Sequence, residues 1–144
     1  EKVSIAKWVS RKYRVSYKPT KEIVNSAFNA SDIFEIDAHL IIAIIAIESS
    51  FNPLAESSAG AQGLMQIMPK IHKKKFEKYG GFANILEVRT NVFVGTEILS
   101  NYYRRYGSYR RALLAYVGVR QSSKSRYPDK VLRIQKRLKK MVRG

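Results

Sequence analysis

Cysteine is absent, so neither a disulfide framework nor thiolate chemistry is open to this chain. The absence says little about compartment, because cytosolic and periplasmic proteins can both do without it. Acidic residues are scarce: 11 Asp and Glu stand against 27 Lys and Arg, leaving a formal net charge of +16. Such a surface is drawn to polyanions, whether nucleic acid, anionic lipid or an anionic cell-wall polymer, and charge alone does not choose among them. Long apolar runs are also missing. The longest, Leu40 to Ile47, is far too short to span a bilayer. The chain opens on Glu1 without a charged-then-apolar leader, so any export signal is expected to have been removed or never present. The two histidines, His39 and His72, lie far apart without partner ligands. Both are read as structural, and neither a metal nor a cofactor is expected.

What is present fits one domain over residues 1–144, with an apolar share of 45% that suffices for a buried core. Its punctuation suggests a run of helices. Pro19 and Thr20 precede an apolar pattern at Ile23, Val24, Ala27 and Phe28, with Thr20 as a candidate N-cap and Ser31-Asp32 as a break. Asp37 reads as the cap of a helix that runs through the apolar stretch to Ser49 or Ser50, stopped by Pro53. Residues 52–69 read as irregular, since Pro53, Ser57, Ser58, Gly60 and Gly63 crowd together. Further helices are predicted over about 70–78, 91–106, 110–116 and 128–141, with Ser122 to Ser125 as a loop. No β alternation or internal repeat is visible, so the class is all-α.

Leu40 to Ile47 is apolar all round and should form a central helix. Glu48 follows directly, stacked by helical spacing on the face of Ile41, Ile44 and Ile45. A carboxylate on an apolar wall loses hydration, which is expected to raise its pKa, and the negative end of the helix dipole pushes the same way. Both effects keep an acid protonated near neutral pH, as a general acid requires. The plain alternative for this residue alone is that Glu48 turns to solvent where the helix leaves the core. The segment after it, from Gly60 to Pro69, holds glycines that could let backbone approach a ligand closely. Gln66 and Ser49 could donate hydrogen bonds to a sugar's hydroxyl and amide groups. The plainer reading is an ordinary loop with Met65 and Met68 as core filler, but an acid followed so soon by such a loop is a much rarer combination.

These two stretches resemble the soluble-type lytic transglycosylases, glycoside hydrolase family 23, which share their fold with goose-type lysozymes. The family's Glu-Ser, then Phe-Asn-Pro, is matched by Glu48-Ser49 and Phe51-Asn52-Pro53. Its Gly-Leu-Met-Gln is matched by Gly63-Leu64-Met65-Gln66. Asn91-Val92, Gly95-Thr96, Leu99 and the Tyr106-Gly107 end are similar to a later family helix, and Tyr127 with Lys130-Val131-Leu132 to a fourth motif. The third motif, Ala-Tyr-Asn-x-Gly, is only partly kept, with Val117 following Ala115-Tyr116 where the family has Asn. The resemblance covers about residues 35 to 135.

The resemblance implies a lysozyme-like domain whose central buried helix ends at the catalytic Glu. It implies cleavage of the β-1,4 bond between N-acetylmuramic acid and N-acetylglucosamine in peptidoglycan. Glu48 would protonate the leaving oxygen and then accept the proton of the muramic acid's own C6 hydroxyl as it attacks C1, leaving a 1,6-anhydro end. Most glycosidases instead need two carboxylates, about 5–5.5 Å or 6.5–9.5 Å apart. An internal nucleophile removes that need; otherwise Glu56, Glu87 and Glu97 are the other acids to consider. By carry-over, Met65 and Gln66 would line the cleft, Gly63 and Ser49 would support bound sugars, and Tyr116 and Tyr127 would sit close to Glu48. A hydrolytic goose-type muramidase, or a catalytically impaired peptidoglycan-binding protein of the same fold suggested by Val117, are the competing expectations.

The implied partners are glycan strands, reached in the periplasm or after export to the cell wall, with a secretion system, pilus or phage as the kind of machine such an enzyme could serve. Basic clusters at Lys73-Lys74-Lys75 and from Lys124 to Arg143 read first as solvated faces and second as attraction to the anionic wall. Tyr102, Tyr103, Tyr106 and Tyr109 alternate with Arg104, Arg105 and Arg110, similar to basic-aromatic stacking surfaces. No recognised nucleic-acid motif accompanies them, and they more simply pack helices and line a sugar cleft. No nucleic-acid partner is expected.

Overall fold

Every residue from Leu40 to Ile45 is 0% exposed, so the apolar run is a helix enclosed on all sides. The structure, a computed structural model, describes residues 1–118 and 126–143. The expected loop at Ser122 to Ser125, and Lys124 with it, lies outside the described residues. Among those residues the elements are α1 (Lys2–Tyr13), α2 (Tyr17–Phe34), α3 (Ala38–Ser49), α4 (Lys73–Glu77), a 3-10 turn (Phe82–Asn84), α5 (Val88–Tyr106), α6 (Tyr109–Val117) and α7 (Tyr127–Arg143). The irregular segment between α3 and α4 holds only the isolated bridges Glu56 to Gln62 and Gln62 to Ile67. The all-α expectation holds.

α3 is the axis of the fold. It packs between α2 and α7, while α5 packs across α2 and α6 and α1 lies on α2. Burying each Leu or Ile of α3 stabilises the fold by roughly 1.5–3 kcal/mol. Asp37 occupies its N-cap position, yet its side chain makes no capping bond. The carboxylate instead meets His39 Nδ1 at 3.2 Å, accepts from Gln135 Nε2 at 2.8 Å and lies 3.6 Å from Lys139 Nζ. Burial pushes the Asp37 carboxyl up, but the Gln135 and His39 hydrogen bonds and the charges of His39 and Lys139 outweigh it and hold the group below its ordinary range. α7 is thereby tied to the start of α3, while its own first residue, Tyr127, lines the same cleft as Glu48 at the other end.

At that far end Ser50 and Phe51 both take left-handed φ, 50° and 65°, a conformation that costs a non-glycine residue roughly 1–2 kcal/mol. The turn sends the Phe51 ring into the core, edge-on to Tyr13 at 5.0 Å. Two boundaries differ from expectation. α2 starts at Tyr17 with Ser16 at the N-cap, and Thr20 sits inside its first turn, donating back to the Ser16 carbonyl at 2.7 Å. Pro19 is tolerated because its missing N–H falls among first-turn donors that have no helical partner. Ser31-Asp32 does not break the helix: the pair lies toward solvent, where a poor helix former costs only tenths of a kcal/mol, about 0.7 at most. α1 was not expected at all.

Candidate active site

Glu48 occupies the last turn of α3, half-buried, and opens onto a cleft of about 330 Å³. The cleft is walled by the end of α3, by the 57–72 segment, by Ile98 and Tyr102 of α5, by the end of α6 and by Tyr127 of α7. Glu48 is the sole acid among the described residues lining it. Residues 119–125 contain no Asp or Glu either. The three other acids considered from the sequence are elsewhere: Glu56 is exposed and off the cleft, Glu87 caps α5 by accepting from the Thr90 and Arg89 amides, and Glu97 takes Lys78 Nζ at 3.0 Å.

Two phenols flank the acid. The Tyr116 hydroxyl donates to the Met65 carbonyl at 2.7 Å, which fixes the ring across the cleft floor. Burial pushes this phenol well above its ordinary range, and the neighbouring Glu48 and Tyr102 add to the effect. Tyr127 is 4% exposed, and among the described residues its hydroxyl makes no hydrogen bond of normal length and angle. Burial pushes it well above its ordinary range too, followed by the charge of Glu48, by Tyr116 and by a looser side-chain hydrogen bond to Glu48. The acid and Tyr127 therefore face each other at the edge of bonding reach. Both phenols stay neutral at any physiological pH; the Tyr116 hydrogen is held by the Met65 carbonyl, which leaves Tyr127 as the phenol that can donate to the carboxylate.

Gln66 lines the cleft, but not as the donor the sequence suggested. Its backbone is left-handed, φ 52°, and its Nε2 donates to the Ala55 and Gly63 carbonyls at 3.1 and 3.0 Å. With both amide hydrogens engaged, Oε1 is the atom it can offer a ligand, as an acceptor. Ser49 likewise has its hydroxyl turned back to the Ile45 carbonyl at 3.1 Å and is not part of the cleft wall. Met65, expected on the wall, is 0% exposed and lies behind it, packed on Gly95. The methionine that does line the cleft is Met68.

Asn91 is the residue whose role the sequence did not disclose. It is fully buried, accepts from the Met65 amide at 2.9 Å and donates to the Gln62 and Ile85 carbonyls at 3.0 and 2.8 Å. One side chain thus clamps the loop bearing Gln66 onto α5. Gly63 is required for the clamp: its φ is +83°, and a Cβ there would lie 2.2 Å from Asn91 Nδ2. The local signal available was a polar residue inside the buried stripe of α5. His72, read as structural, lines the cleft; burial, then the Lys75 charge, holds its ring below the ordinary range. Of the four tyrosines, Tyr102 reaches the cleft, while Tyr103 and Tyr109 stack on each other at 4.1 Å. Val117 lines the cleft, and so puts apolar surface where an asparagine would offer an amide.

Fold and cleft together define a helical domain with one carboxylate delivered by a buried helix into a groove of neutral hydrogen-bonding groups. The chain belongs to the transglycosylase SLT domain family, which matches residues 25–129. It is similar to a transglycosylase of Enterobacteria phage PRD1, 35% identical over 109 residues, covering 72% of this chain and 39% of the phage protein. The soluble lytic murein transglycosylase of Salmonella typhimurium is 38% identical over 81 residues, 53% of this chain and 13% of that one. Among solved structures, an inactive mutant of the lytic transglycosylase Slt from Pseudomonas aeruginosa superposes with a TM-score of 0.58 at 27% identity, covering 64% of this chain and 16% of that one. A 70-kDa soluble lytic transglycosylase in complex with bulgecin A gives 0.62 at 24% identity over 83% of this chain and 20% of its own, a likeness of fold. The chain spans well under half the length of these relatives.

Proposed function

We propose that this chain is a lytic transglycosylase of peptidoglycan, with Glu48 as its single acid and base. The observation that carries the reading is the cleft with one acid. Hydrolysis needs a second group to hold water or attack the sugar, and the candidates Glu56, Glu87 and Glu97 are exposed away from the cleft, capping a helix or paired with Lys78. In the proposed reaction Glu48 gives its proton to the leaving oxygen as the C1–O4 bond breaks. It then takes the proton of the muramic acid C6 hydroxyl as O6 bonds to C1. The sum is a rearrangement that consumes no water. Tyr127 and Tyr116 serve the step by facing the carboxylate with neutral phenols, and the Gln66 Oε1 accepts from a substrate hydroxyl or amide.

The substrate class fits a site outside the cytoplasm, in the periplasm or the wall, and no helix among the described residues is long and apolar enough to cross a membrane. The surrounding machine, a secretion system, pilus or phage, would be set by whatever the enzyme is delivered with. Mass spectrometry of fragments released from purified sacculi tests the reading. Anhydro-muramoyl ends, lighter by one water than hydrolytic products, are expected. Reducing ends would replace it with a muramidase, and binding to sacculi without release would point to a fold kept for attachment, with Val117 the first residue to revert to Asn.

A further inference from the structure

Ile71 and His72 line the cleft and also belong to a second concavity beside it, completed by Lys70, Lys73, Lys74 and Lys75. We propose that this lysine shelf is a subsite for the free carboxylates of the peptide stem carried by muramic acid, and that it makes the protein discriminate peptide-bearing from bare glycan strands. The inference rests on the transglycosylase reading and names a second part of the same substrate.

The cations of the shelf are uncommitted. Among the described residues none of the four lysines takes part in an ion pair, whereas Lys78 nearby is held by Glu97 at 3.0 Å and Lys139 lies 3.6 Å from Asp37. Glu77, on the same short helix, bridges to none of them. Lys70, Lys73 and Lys74 are exposed, and Lys75 stands near enough to the cleft wall for its charge to add to the burial that lowers the His72 ring's pKa. Between lysines and cleft, Ile71 leaves a large aliphatic side chain 67% exposed. The sugar rings of the glycan are neutral, so the charges that such a shelf can meet are the carboxylates of the stem, beyond the single lactyl carboxylate that stays on muramic acid itself once the stem has been cut off. A peptide brings both a chain to lie on Ile71 and carboxylates to meet the lysines. A phosphodiester polymer of the wall brings negative charge, as phosphate, but no such chain.

The test compares the wild type with a Lys73→Gln, Lys74→Gln, Lys75→Gln triple variant on purified strands, with peptides intact and after an amidase has removed them. On peptide-bearing strands KM should rise about three- to tenfold with kcat unchanged, as expected for losing a few partly exposed ion pairs. The difference should shrink in high salt, and stripped strands, which keep only the lactyl carboxylate next to the sugar ring, should show a much smaller one. An equal KM for both proteins on peptide-bearing strands, or an equal rise on both substrates, would overturn the proposal. So would a rise that disappears once wall phosphodiester polymers are stripped away, which would assign the shelf to those polymers. Turnover of neither substrate by the wild type would sink the transglycosylase reading instead. The shelf is then decided by titrating the wild type with an isolated stem tripeptide and its carboxyl-amidated form. Saturable binding of the acid form alone supports it, and equal binding of both, or of neither, removes it.

Discussion

Where the 62–66 loop meets α5, one buried amide side chain makes three hydrogen bonds and two glycines accept their neighbours at distances no Cβ could share. Where residues 70–75 meet solvent, four lysines stand without ion pairs among the described residues and Ile71 is largely exposed. The first region supports two groups that line the cleft with Glu48, Gln66 and, through the Met65 carbonyl, Tyr116. The second sits at the edge of the same cleft, which Ile71 and His72 also line. Chemistry at one carboxylate demands that neighbours be held within a fraction of an ångström, because small misplacements cost large factors in rate. Attraction of a flexible charged appendage demands only reach and the right sign. Under the proposed function, the contrast between a clamped wall and a loose shelf would follow the division between the bond to be cut and the rest of the substrate.

The contrast is most sharply tested at Gly63. A Gly63→Ala variant combines a left-handed backbone with a methyl driven into Asn91, and should lose about 2–4 kcal/mol of stability, read as a lower denaturation midpoint with an unchanged slope. A loss within about 0.5 kcal/mol would mean that the clamped wall has slack after all. Next in size, Tyr127→Phe removes a buried hydroxyl that has no normal hydrogen bond but faces Glu48. The account expects kcat to fall about ten- to a hundredfold, KM to change little, and thermal stability to stay level or rise. Full activity in this variant would remove Tyr127 from the chemistry.

The smallest effect belongs to His72, at the junction of wall and shelf. Its folded pKa lies below the unfolded value of 6.5, lowered by burial and then by Lys75. As pH falls past the unfolded value, the unfolded chain takes up the proton first, so the stability present above pH 6.5 is lost toward the lower folded pKa. Melting temperature should therefore drop between pH 7.5 and pH 5.5 by more in the wild type than in His72→Gln. Parallel profiles would show that burial and the Lys75 charge together leave the His72 ring unshifted.

Much of this was legible in advance, and the exceptions have identifiable causes. α3 was readable because an unbroken apolar run lies between Asp37 and Pro53, and Glu48 and Gln66 because they sit in closely spaced local motifs. α1 was not, because it has no side-chain cap, ends on a left-handed Arg14 and not on a glycine, and buries just Ile5, Ala6 and Val9. The hydrogen-bonding sense of Gln66 depends on the carbonyls of Ala55 and Gly63, which no pattern in the sequence orients. Met65 was drawn off the cleft by Gly95, 30 positions away, whose missing side chain makes the room it fills. For α1 the local signals were weak, and for Gln66 and Met65 the partners that decide are side-chain and backbone groups whose position no local propensity sets.

The central claim is that one carboxylate serves as both acid and base. Its most direct test is the rate at which anhydro-muramoyl ends appear from sacculi with Glu48→Gln, Glu56→Gln and Glu97→Gln proteins, each checked for wild-type folding. The account expects a fall of about 10²–10⁴-fold or more for Glu48→Gln alone, with the other two near the wild-type rate. A comparable loss in Glu56→Gln or Glu97→Gln, or substantial turnover by Glu48→Gln, would contradict it.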